Sequence, residues 1–296
     1  MFDHKITAPV IAFFILLLIG CISYAQFSGE KTPDQSSEDV ENDTSNVSNE
    51  SSSPPQAQDY TFWHGLWDSW NYPGDEFNMV KVPNPAHAEA VLDDGKNVFV
   101  SFSHRWKRNG EKLSRQQWRS IIAGWESTIA RLDPDRTIIM IQDEPLGYSG
   151  FTLEEIKFLY NEFKSRHPNH KFGYSFTRNS VRQKIPHGLT VDVAILPMYL
   201  FEGETTKQEF DSYFDEHISI AREKMDADIF IIGQGFYSTG RFDWTQPPTE
   251  AAYWYAEAIQ RNKVKGIVWW LYSINRDDTI GLEDMPEYFE NVKRLQ

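Results

Sequence analysis

Cysteine is almost missing from this 296-residue chain, and Cys21 is the only one. No disulfide can form within the chain, so the folded part must rest on its apolar core. Excess positive charge is missing as well. Lys and Arg number 29 against 43 Asp and Glu, a formal net charge of −14, which argues against a nucleic-acid partner. The eight histidines include no His-x-His or His-x-x-x-His pair, so no metal site is indicated. Asp277-Asp278 stands without the rest of a calcium loop. There is no phosphate loop, dinucleotide fingerprint or Gly-x-Ser-x-Gly elbow, and the sequence asks for no cofactor. No long internal period recurs, which excludes a solenoid.

Long apolar runs are scarce, with one exception at residues 8–25. That run reads as a targeting segment, residues 1–25 in all, rather than a core helix. Leu18-Ile19-Gly20-Cys21 has the form of a bacterial lipobox, which makes Cys21 the expected lipidation site. Ser23-Tyr24-Ala25 fits ordinary signal-peptidase cleavage instead, and 18 residues nearly span a bilayer as an uncleaved anchor. The expected address is exported and membrane-tethered, with a secreted form and an uncleaved anchor as alternatives. Residues 26–58 hold seven acids, one lysine and almost no large apolar side chains. They should form a disordered acidic tether, because they cannot bury enough surface to offset chain entropy.

Residues 59–296 alternate apolar runs with capped amphipathic segments. The runs are Tyr60–Leu66, Asn97–Phe102, Thr137–Gln142, Lys171–Phe176, Val191–Tyr199, Asp228–Gly233 and Gly266–Tyr272, with a shorter one at Asn78–Val82. Ser114-x-x-Gln117, Thr152-x-x-Glu155 and Thr206-x-x-Glu209 are capping boxes, each followed by apolar residues at helical spacing. Thr249 is placed to cap Glu250–Arg261, and Pro83–Leu92 is a weaker helix. Run-like strands alternating with helices imply a parallel sheet. Eight strands close an α/β barrel of the (β/α)8 type. Strands one and two are the weakest, and with Asn78–Val82 as loop the barrel is incomplete.

The stretch Thr137–Pro145 carries the most functional information. A strand buried on both faces ends in Asp143 and Glu144, and Pro145 forces a turn. Barrels present catalytic carboxylates in this way; the alternative is an ordinary surface turn. Ten tryptophans suit a carbohydrate ligand, because indole faces stack on the C–H faces of sugar rings, although each could equally pack under a loop. Trp269 and Trp270 point to opposite sides of their strand, so only one can face the interior.

On Asp143-Glu144-Pro145 and the strand-eight tryptophans, the chain resembles the retaining glycoside hydrolase barrels of clan A. The resemblance implies that Glu144 is a general acid, with Asp143 where Asn is usual, and that Trp269 or Trp270 floors a sugar site. It also implies a nucleophilic Glu ending strand seven, where this chain has Gln234 within Ile231–Tyr237. An amide can neither attack carbon nor act as a base. Three routes remain. In one, a substrate acetamido group attacks, with Asp143 and Tyr199 assisting it, as in hexosaminidases with an Asp-Glu pair. In another, a distant base such as Glu202, Glu204, Asp243 or Asp277 activates water for inversion. In the third, catalysis is lost and sugar binding remains. The candidate substrate contacts are His64, Trp67, His104, Arg105, Tyr199, Gln234, Tyr237, Trp269 and Trp270, all near strand ends. Arg105 is expected to bind a carboxylate or hold Glu144. The expected partners are a carbohydrate and, through the N-terminal lipid or anchor, a membrane.

Overall fold

The computed structural model describes residues 62–67, 75–103, 105–147, 149–201, 203–238, 244–270 and 279–295. The leader, the tether and Cys21 lie outside the described residues, as do His104, Trp70, Glu202, Asp243 and Asp277.

Eight parallel strands close a barrel: β1 Trp63–Leu66, β2 Met79–Val82, β3 Asn97–Ser101, β4 Thr137–Gln142, β5 Lys171–Ser175, β6 Leu189–Met198, β7 Met225–Gln234 and β8 Gly266–Trp270. Each pairs with its neighbour in sequence, and β8 returns to β1 in register from Trp63 opposite Gly266 to Leu66 opposite Trp269. The short second run is therefore a true strand. Among the described residues, Gly65–Met79 and Leu66–Val80 are the two pairs across β1 and β2. The Asn78 side chain supplements them, accepting from His64 N at 2.8 Å and donating to Phe62 O at 2.8 Å.

The helices are α1 Ala88–Asp93, α2 Arg115–Ile129, α3 Leu153–Arg166, α4 Arg178–Gln183, α5 Lys207–Lys224, α6 Ala251–Arg261 and α7 Pro286–Lys293. All three expected capping boxes form. Thr249 caps nothing: Glu250 is the N-cap of α6 without a side-chain bond, and Ala251 N reaches Pro248 O instead. Among the described residues no helix is long and apolar enough to cross a membrane.

Strand alternation divides the core in two. Inside the barrel lie Trp63, Met79, Phe99, Ile138, Met140, Val193, Ile195, Phe230, Ile232 and Val268. Trp63, Phe99 and Phe230 meet edge-to-face with centroids 5.4–6.0 Å apart. The interior is narrow. A Cβ on Gly173 would sit 2.2 Å from Val193 O, so only glycine fits there. Between strands and helices lies a larger apolar layer that contains Trp106, Trp118, Trp269, Phe163, Phe210 and Tyr255.

Candidate active site

The C-terminal end of β4 is held by several separate bonds. Its pairing with β5 slips between Met140 and Gln142, a bulge that buried Trp106 secures by donating to Ile141 O at 2.7 Å. Gln142 is buried; its Nε2 donates to Asp143 O and to Ser149 Oγ, both at 2.9 Å. Asp143 N donates to Ser103 Oγ beyond β3 at 3.2 Å. Glu144 then adopts a left-handed backbone with φ +43°, and its carbonyl accepts from Gly147 N and Ser149 N. A non-glycine residue there is strained by about 1–3 kcal/mol, and such strain collects at working sites.

Both carboxyls are half-buried, and among the described residues neither is in a hydrogen bond or ion pair. Burial, and secondarily the charge of Asp143, raise the Glu144 carboxyl from 4.5 to about 7. It is thus about half protonated at neutral pH, which suits a proton donor. The same shift bears on stability. Below its unfolded value the carboxyl is neutral in both states and costs nothing. As pH rises from about 4.5 to about 7 the unfolded chain ionises freely while the fold keeps its proton, and stability is lost across that window. Glu144→Gln should therefore be relatively more stable at pH 8 than at pH 4, by about 1–2 kcal/mol after solvent screening. Melting curves of both proteins across that range check this, and a constant difference would refute the raised pKa.

Three expected contacts stand with this pair at the C-terminal ends of the strands, on the inner face. Trp67 follows β1, Tyr199 follows β6 and Trp270 ends β8. Tyr199 packs on Trp270 at 5.4 Å and on Phe236 and Trp244 at 5.3 and 5.8 Å. The half-buried Tyr199, Trp244 and Trp270 form an aromatic wall.

Five others are placed elsewhere. His64 and Trp269 are turned outward, fully buried in the layer under the helices, where the indole Nε1 donates to His64 Nε2 at 2.9 Å. Burial lowers the His64 pKa to about 3, so this ring is a neutral acceptor within the fold rather than a ligand contact. Arg105 makes no ion pair among the described residues and lies over Trp125 of α2, 5.2 Å from the ring centroid. Tyr237, on the short strand Phe236–Ser238, packs against the outer apolar layer.

Gln234 does end β7, but it does not face a ligand. It is fully buried, and every polar group is bonded within the chain. Its Oε1 accepts from Phe201 N at 3.1 Å, and its Nε2 donates to Phe236 O and Thr245 O at 3.1 and 3.2 Å. Its main chain is held by the Tyr255 and Tyr288 hydroxyls. The amide ties the end of β6 to the segment after β7, a task that needs one acceptor and two donors.

Lys81 was not anticipated. It alternates inward with Met79 on β2, and its ammonium sits 4.1 Å from the Trp67 centroid. The signal was present, since Met-Val-Lys-Val puts a lysine on the interior face of a four-residue strand. Among the described residues, none of the other barrel strands is followed directly by an acid, and Glu204 is exposed.

No protein-family model matches the chain, and neither does any curated protein. Solved structures do. A glycoside hydrolase family 17 β-1,3-glucanosyltransferase from Rhizomucor miehei is similar at 11% identity and TM-score 0.50, over 76% of this chain and 91% of that one. A Thermobacillus composti GH10 xylanase is similar at 12% identity and TM-score 0.48, over 80% and 97%. The Ruminococcus gnavus β-glucuronidase is matched at 13% identity and TM-score 0.45 over 75% of this chain, which spans only 44% of that protein. The first likeness is one of fold: both chains are (β/α)8 barrels.

Proposed function

We propose that the barrel hydrolyses a glycan at the C-terminal ends of its strands, with Glu144 as general acid. The observation that carries this reading is Glu144 itself: a strained residue in the turn just after β4, its carboxyl raised to about 7 beside Asp143. The barrel fold shared with a glucanosyltransferase supports glycan chemistry, and the Trp67, Tyr199 and Trp270 rings suit sugar faces. Double displacement through β7 is disfavoured, because Gln234 is buried and amidic. Asp143 and Tyr199 suit substrate assistance better: the carboxylate orients an acetamido group while Glu144 protonates the leaving oxygen. A panel of aryl glycosides and oligosaccharides tests this, with N-acetylhexosaminides expected to be cleaved first. Cleavage of plain hexosides alone would overturn the assisted route. The second reading, a sugar-binding barrel without catalysis, is favoured by the lack of an acid directly after any other described strand. Binding of panel members with no turnover would select it.

We also propose that the protein is exported and held to a membrane through Cys21, on the strength of Leu18-Ile19-Gly20-Cys21. Cys21→Ser should move the protein from the membrane to the soluble fraction. If the variant stays with the membrane, residues 8–25 act as an uncleaved anchor instead.

A further inference from the structure

A second cleft lies outside the barrel, between α2 and a small hairpin that precedes it. It is an open cleft of about 420 Å³, lined by Arg105, Lys107 and Arg108 on one side and by Ile121, Gly124 and Trp125 on the other. That volume is in the range of small-ligand sites, roughly 300–1,000 Å³.

Its cations are notable in a chain of net charge −14. Among the described residues Arg105, Lys107 and Arg108 form no ion pair, whereas neighbouring Lys112, Arg119 and Arg166 all do. Glu111 stands opposite Arg108 across the hairpin but makes no ion pair with it. The nearby Glu126 is taken by Arg166 at 2.7 Å.

The cleft is also preformed. Lys107–Arg108 pairs antiparallel with Glu111–Lys112 through Asn109 and Gly110, both at positive φ (52° and 84°), the signature of a tight type I′ turn. Its base is pinned where Leu113 N and the Trp118 indole both donate to Trp106 O. On the helix side, Gly124 sits in the interior of a 15-residue helix, where glycine costs about 1 kcal/mol relative to alanine. A Cβ there would meet nothing within 4 Å, so packing does not demand the glycine. Its effect is to leave the wall beside Trp125 open.

We propose that this cleft is a second ligand site, taking an anionic pyranose of a carboxylated or sulfated glycan, with its anion among Arg105, Lys107 and Arg108 and the sugar ring against Ile121 and the part of Trp125 that Arg105 leaves uncovered. The cleft and its aromatic wall favour a discrete sugar over a flat anionic membrane. This proposal goes beyond the barrel-mouth reading and does not depend on turnover there.

Titration calorimetry of the full chain with three probes tests it: an oligogalacturonate, a heparin-derived hexasaccharide and neutral cellohexaose. At least one anionic oligomer should bind, more weakly as salt rises, and cellohexaose should not show the same salt dependence. The double variant Lys107→Ala/Arg108→Ala should weaken anionic binding at least tenfold. Gly124→Leu, which keeps every charge, should weaken it similarly by filling the cleft. Neither variant should melt below the wild type, since the hairpin positions are solvent-accessible and leucine in place of Gly124 favours the helix. Failure of both anionic oligomers to bind, or full affinity in either variant, would overturn the proposal. So would capture by phosphatidylglycerol vesicles through the same residues with no oligomer binding. Binding of the oligogalacturonate shows that carboxylates suffice, whereas binding of the heparin oligomer alone, which carries both groups, assigns the site to sulfate.

Discussion

Glu144→Gln should lower hydrolysis of an unactivated glycoside by about 10²–10⁴-fold, the usual worth of a positioned general acid. The substitution keeps the side-chain length and so leaves the turn at φ +43° with the same backbone demand. What is lost is the transferable proton. The effect should shrink on aryl glycosides with acidic leaving groups, which depart with little protonation. The wild-type rate on poor leaving groups should fall as pH rises past about 7, because the deprotonated carboxyl cannot donate. Steady-state kinetics on a leaving-group series at several pH values decides it. Equal loss on every substrate would remove the general-acid role.

The second large effect is on stability. Gln234→Glu restores the residue that a clan-A comparison asks for, yet it should damage the fold without creating a nucleophile. The Nε2 group donates to two carbonyl oxygens in a site closed to water. An ionised carboxylate would face both carbonyls with no proton, and a neutral one could satisfy only one of them. Leaving such groups buried and unmatched costs about 3–5 kcal/mol. For a domain of this size that is a fall in Tm on the order of 10 °C. The loss should ease toward acidic pH, where the new side chain is protonated. A variant that melts like the wild type, or gains activity on aryl glycosides, would put Gln234 back at the ligand.

Much of this was legible in the sequence. The three capping boxes and the buried runs located the barrel because each is a local signal: a side chain reaches its own helix, or a strand needs apolar cover on both faces. Asp143 and Glu144 were legible because two adjacent acids break an apolar strand abruptly, and Pro145 marks the turn that follows them. The facing of the aromatic and histidine residues was not. His64 and Trp67 are both near the end of β1, yet one lies under the helices and the other inside, a difference fixed by strand register. Gln234 misled for a related reason. Its place at the end of β7 was right, but its bonds run to Phe201, Phe236 and Thr245, and loop carbonyls leave no mark in a sequence. The hairpin at Lys107–Lys112 also escaped, with two residues in each strand, though Asn109-Gly110 was its signature.

The joint between β1 and β2 has a consequence of another kind. A closed barrel has no free sheet edges, which keeps it from pairing with other chains. Here, among the described residues, the closure rests on two residue pairs and the carboxamide of Asn78. If that joint opens, one event converts an edgeless cylinder into a sheet with two bare rims. Each rim would offer unpaired main-chain groups beside Trp63, Met79 and Phe99. Asn78→Ala should therefore raise self-association at high concentration, read by light scattering, more than it lowers the melting temperature.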